Sequence, residues 1–197
     1  MFVITADQHD SRASEDLVPA ALDAIIRRGG SALPLPPERT AGDEVQALVT
    51  TAHATLDITL ALTRTQHWSV GIGAGAVDLP LPDEVRAGRG SAFIHARDAV
   101  ERAKKAATRI AISADDADSA HNAESLIRLL IDLRDRRTEE GWEVHDLLAD
   151  GGTQRAAAEQ IGISESAVSR RVAAASLRVE EAAVPALARV LADLDER

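Results

Sequence analysis

Residues 153–175, TQRAAAEQIGISESAVSRRVAAA, leave the chain few ways to fold. Thr153 is placed to cap a short helix on which Ala157, Ala158 and Ile161 share one face. Gly162 permits a turn and Ile163 anchors it. Ser164 can then cap a second helix whose Val168 and Val172 point back at the first. Ala158 is the tightest constraint, because a branched side chain there would push the two helices apart.

This packing predicts an outer surface of Ser166, Ser169, Arg170 and Arg171. With Ser164, the serines at the start of the second helix suit phosphates or bases, and Arg170 suits a base edge or a phosphate. Gln154 and Arg155, opening the first helix, suit the nucleic-acid backbone. Double-stranded DNA is thus the expected partner; the plainer alternative is a capped helical hairpin whose arginines merely face water.

Charge sets the scale of such binding. The chain carries 22 Lys and Arg against 32 Asp and Glu, a net charge of −10, so it has no general attraction to nucleic acid. Residues 151–180 hold Arg155, Arg170, Arg171 and Arg178 against Glu159, Glu165 and Glu180, a net of +1, and two copies would bind better than one. Val184, Leu187, Leu191 and Leu194 repeat at intervals of 3, 4 and 3. They form a seam for a homodimer on a palindromic site, or for packing against the helix around Leu126 to Leu133.

The first 120 residues have a different rhythm. Residues 1–6 read as a buried strand, 17–28 as a helix closed by Gly29-Gly30, and 32–36 with 37–41 as two short strands around a turn. A helical pattern runs from Asp43 through Val45, Leu48, Val49, Ala52, Leu56 and Leu60. A strand is expected at 68–76 with a return partner at 77–81, then a helix over 91–107 and a strand over 109–113. With two Phe, two Trp and no Tyr, the cores must be built from small and aliphatic residues. The small acidic stretch ADDADSAHN, residues 114–122, reads as a linker, with only helices after it. The expectation is an α/β domain over 1–118 and an all-α domain over 119–197.

No cysteine is present, which removes disulfides and thiolate chemistry. Phe2-Val3-Ile4 meets Asp7 without the basic lead and apolar stretch of a signal peptide, and no apolar run spans a bilayer. The expected location is the cytoplasm, away from membrane.

In TAGDEVQAL, residues 40–48, Asp43 and Glu44 follow a glycine at the start of an apolar pattern. They read either as first-turn acids opposing a helix dipole or, with Asp7 at the end of the first strand, as oxygen ligands for Mg²⁺ or Mn²⁺ bound with a nucleotide. Gly71, Gly73 and Gly75 do not lead into a helix, so they argue for a hairpin or bulge rather than a dinucleotide loop. The six histidines are scattered; His9, two residues past Asp7, is the one near the acids.

Taken together, ITADQHDSR at 4–12, AGDEVQAL at 41–48, SVGIGAG at 69–75 and GRGSAFIHARDAVERAKK at 88–105 resemble the SatD family over nearly the whole chain. More distantly, these segments are similar to the nucleotidyl-cyclase and diguanylate-cyclase palm. That resemblance implies a ferredoxin-like α+β domain with Asp7, Asp43 and Glu44 at a metal and Lys104 and Lys105 facing the phosphates of a nucleotide. Ala41 and Val45 depart from the cyclase signature, which favours a binding domain over a cyclase or other phosphoryl-transfer enzyme. The carboxyl-terminal segment resembles helix-turn-helix transcription regulators. A scaffold that binds another protein is the third alternative.

Overall fold

The computed structural model describes residues 1–11, 15–149 and 151–195. The chain separates into two units, one made of Met1–Arg128 with Ala186–Arg197 and the other of Leu129–Pro185. In the first unit β1 Phe2–Gln8, α1 Val18–Gly29, β2 Glu38–Ala41, β3 Glu44–Val49, α2 Ala52–Arg64, β4 Trp68–Ala74, α3 Ser91–Ala103 and β5 Ile110–Ser113 follow one another. The strands lie in the order β2-β3-β1-β4-β5, antiparallel throughout except for the parallel β4 and β5 joined through α3. The result is an α+β arrangement followed by helices.

The central strands are buried on both faces. This explains the main departure from sequence periodicity: residues 44–49, read as the start of a helix, form β3. Val45, Ala47 and Val49 fill one face, while Gln46 and Leu48 pair with Thr5 and Val3 on the other. A strand with apolar residues on both sides imitates helical spacing, and only its length and neighbours tell the two apart. Its partner is β2 across a two-residue turn in which Gly42 takes a φ of 47°, a left-handed conformation that glycine adopts without strain. Of the two short strands expected at 32–36 and 37–41 only the second forms, as β2; Ala32 ends a 3-10 turn, Gly30–Ala32. The helical pattern resumes at α2, capped by Thr51, whose side chain accepts from the Ala54 amide.

β4 carries Gly71 and Gly73 of SVGIGAG in mid-strand, not at a hairpin or bulge, and Gly75 follows just past its end. A Cβ on Gly71 would lie 2.2 Å from the Val100 nitrogen, and one on Gly73 2.1 Å from the Ala92 carbonyl oxygen. The α3 backbone therefore rests directly on the strand, with Ala92, Ala96, Ala99, Val100 and Ala103 buried beneath it. No strand forms at 77–81, where Pro80 and Pro82 lack the amides a ladder needs.

Residues 117–122 of the expected linker are instead the first turns of α4 Ala117–Asp135. Within the first unit Glu124 accepts from the Ile112 amide at 2.8 Å and from Arg102 at 2.9 Å. Arg102 and Arg128 donate to the Ile112 and Ile110 carbonyls at 2.6 and 3.0 Å. The outer backbone groups of edge strand β5 are thus taken up by side chains, which closes that edge to further pairing.

The second unit holds α5 Glu139–Ala149, α6 Gln154–Ile161 and α7 Glu165–Ala174, with the start of α8 Leu177–Ala192. Val144, Ala157, Ala158, Val168 and Val172 form its core, flanked by Leu147, Leu148, Ile161, Ile163 and Leu177. Of the α8 seam, Val184 is half-buried, while Leu187, Leu191 and Leu194, which belong to the first unit, are buried and so not free for pairing. Among the described residues no helix is long and apolar enough to cross a membrane.

Candidate functional site

In the first unit the α3-facing side of the sheet grades from apolar to charged along paired residues: Val3 with Leu48, Thr5 with Gln46, then Asp7 with Glu44. Antiparallel pairing sets the two acids directly opposite one another, and Ser69 of β4 lies across from Asp7 on the other side. Asp43, in the turn before β3, has its carbonyl tied to the Gln8 amide at 3.0 Å and its carboxylate bonded by the Ser11 hydroxyl. Asp7, Asp43 and Glu44 thus gather at one end of the sheet, although Asp43 and Glu44 sit at a strand's start and oppose no helix dipole.

Each acid already has a partner. Glu44, 4% exposed, takes Arg97 in a two-pronged contact, Nη1 to Oε2 at 2.5 Å and Nη2 to Oε1 at 2.9 Å. The Thr40 hydroxyl adds a third donor at 2.5 Å. Asp7 meets the Lys104 ammonium at 3.0 Å, and Lys104 also reaches Glu101 at 2.9 Å. Burial pushes the Asp7 carboxyl above its usual range, against the pull of Lys104, and the neighbouring Asp43 and Glu44 push the same way. Burial weakens the Lys104 ammonium, but its bonds to Glu101 and Asp7 prevail and hold it above the ordinary lysine range. Lys105 is exposed beside them.

Spacing did not single out Arg97, yet a signal was present. Arg97, Glu101 and Lys104 recur at four and three residues, which puts them on one helical stripe. Thr40 and Ser11, the other donors to the acids, carried no such mark. His9 follows directly on β1: its Nε2 meets the Gln66 carbonyl at 2.5 Å, Nδ1 meets Asp10 at 2.9 Å, and its ring stands 5.8 Å from that of His67.

A divalent ion does not fit these residues as they stand. Among the described residues no three His, Cys, Asp or Glu side chains are grouped to hold one. Three protein donors already crowd Glu44, and two fixed cations face the acids an octahedral Mg²⁺ would need.

In the second unit, the Thr153 side chain caps α6 by accepting from the Ala156 amide at 3.1 Å. α6 ends at Gly162, in the left-handed region at φ 78°, where the Ala158 carbonyl takes the amides of both Gly162 and Ile163. Ser164 caps α7 through the Ala167 amide at 3.2 Å, and its hydroxyl also meets that of Ser166 at 2.9 Å. Buried Ala157 and Ala158 let α7 approach through Val168 and Val172.

That geometry leaves Ser166, Ser169 and Arg170 exposed on α7. Arg170 makes no ion pair among those found in the described residues. Arg171, by contrast, turns back to Glu143 of α5 at 2.7 Å and is half-buried. Gln154 is half-buried at the start of α6; Arg155 is exposed and pairs with Glu159 at 3.3 Å. No family model, curated protein or solved structure matches the chain.

Proposed function

We propose that this protein is a sequence-specific, double-stranded-DNA-binding transcription regulator, similar to the SatD family, in which α6 and α7 form a helix-turn-helix. The observation that carries this reading is the exposure of Ser166, Ser169 and Arg170 on one side of α7, opposite Val168 and Val172, which pack toward α6. A helix held by its other face and offering short polar side chains and an arginine suits the floor of a major groove. Gln154, Arg155 and the Ser164 hydroxyl would fix its register on the phosphates, while Arg171, held by Glu143, steadies α7 against α5.

The net charge of +1 over residues 151–180 supports modest affinity for one copy. A homodimer on a palindrome belongs to the same proposal, paired through a surface other than the buried α8 leucines. For the first unit, the order β2-β3-β1-β4 with β1 antiparallel to both neighbours supports a ferredoxin-like, palm-related domain. We assign it a nucleotide as its ligand, with exposed Lys105 toward the phosphates, while Lys104 stays with Asp7 and Glu101. A phosphoryl-transfer role would require Asp7 and Glu44 to be released from Lys104 and Arg97.

Selection of bound fragments from genomic DNA, followed by anisotropy titrations over a range of salt, tests the DNA reading. A selected sequence whose affinity falls steeply with salt is expected. If no sequence is enriched and no salt-dependent binding appears at low ionic strength, the regulator reading fails.

A further inference from the structure

The acidic end of the sheet carries its own cations. Arg97 and Lys104 lie seven residues apart at one side of α3, so both point toward the same rim, one to β3 and the other to β1. Their reach depends on how closely α3 lies on the sheet, and Gly71 and Gly73 set that distance: any side chain there would meet the α3 backbone at 2.1 to 2.2 Å. The glycines of SVGIGAG and the charges of α3 are therefore parts of one device.

The chemistry at the rim is that of a completed site. Glu44 lies almost wholly away from water, with both oxygens engaged by Arg97 and one by Thr40. Asp7 and Glu101 share the Lys104 ammonium. Two positive charges thus stand among these acids, where a divalent ion would supply the same charge through coordination.

We infer that Arg97 and Lys104 are permanent internal counter-ions in place of a divalent cation, so that this unit folds and holds its acid rim without Mg²⁺ or Mn²⁺. Removing them leaves Asp7, Asp43 and Glu44 as an uncompensated oxygen-rich rim that takes up Mn²⁺. The inference stands on the geometry of the first unit and does not depend on DNA binding.

The test uses the full chain, stripped with chelator, and reads thermal unfolding together with Mn²⁺ binding by electron paramagnetic resonance. The wild type is expected to show the same Tm in chelator, Mg²⁺ and Mn²⁺, and no saturable Mn²⁺ binding. The double variant Arg97→Gln with Lys104→Met is expected to melt lower in chelator, to recover with Mn²⁺ in a saturable way, and to lose that recovery when Asp7→Asn is added. Saturable Mn²⁺ binding by the wild type that Asp7→Asn abolishes would overturn the inference. So would a double variant as stable as wild type in chelator and indifferent to Mn²⁺. If the double variant does not fold, Lys104→Met alone takes its place under the same two criteria, and the wild-type titration decides independently. Operator selection in chelator reads the DNA proposal separately, so either can fail without the other.

Discussion

Two glutamates are almost equally hidden, and their surroundings differ. Glu44 in the first unit is held by Arg97, whose side chain is 53% exposed, so the pair sits where water and solutes reach the cation. Glu180 in the second unit lies between Arg134 and Arg137, and the Arg137 side chain is 0% exposed. Both guanidinium groups also lie over Trp142, at 4.9 and 4.3 Å from its ring centre, and Arg137 donates to the Ala175 carbonyl at 3.2 Å. The contrast separates two uses of charge. In the second unit buried charge clasps the end of α4 to the start of α8, while exposed Arg170 stays outside that clasp. In the first unit the charges sit at a rim and answer one another.

The clasp should break hardest. Glu180→Ala leaves two buried guanidinium groups without their acid, and loss of one partner of a buried ion pair costs about 3–5 kcal/mol. Urea unfolding of the full chain is expected to show an unfolding free energy lower by that amount; a change below about 1 kcal/mol would mean that water reaches the clasp and that it resembles the Glu44 pair. Arg170→Ala comes next and should act on recognition alone. Discrimination between the selected operator and its point variants is expected to fall by about 1–3 kcal/mol at one position, with the melting curve unchanged. A loss spread evenly over all sequences would move Arg170 from base edge to phosphate. Ser164→Ala removes the α7 cap and is expected to cost about 1 kcal/mol in urea unfolding, with Ser164→Gly costing less.

Much of the second unit was legible in its sequence because its signals are local. Thr153, Gly162 and Ser164 are caps and a turn acting within four residues of themselves, and the Ala157, Ala158, Val168 and Val172 pattern describes one small core. The acids of the first unit could be placed near one another only through pairing between distant strands, and EVQALV hid its strand because it is buried on both faces. Arg97 was obscured for a further reason: its partner, Glu44, lies 53 residues away, and their meeting depends on α3 resting on Gly71 and Gly73. ADDADSAHN shows the reverse failure. Its polar surface looked like a linker, yet Asp116 bonds the Ser119 amide and hydroxyl at 3.1 and 2.8 Å and so starts α4, while Ala120 and Ala123 turn inward.

The smallest expected effect separates the rim from the clasp by its sign. Burial raises the Asp7 carboxyl above its unfolded value, so the folded chain holds a proton more tightly than the unfolded chain between those two values. Stability linked to Asp7 is therefore fully present below the ordinary aspartate range and declines as pH rises through the folded value. At neutral pH the charged carboxylate is a net burden, the opposite of an acid whose charge is clasped. Asp7→Asn removes that burden along with the Lys104 contact; because Asp7 is partly open to solvent, the rise in stability should stay under about 1 kcal/mol. Urea unfolding of both proteins at a series of pH values checks it. The two stabilities should converge in acid and separate toward neutrality with the variant above. A variant below wild type at neutral pH would show that the Lys104 contact outweighs burial and that the rim, like the clasp, is held together by its charges.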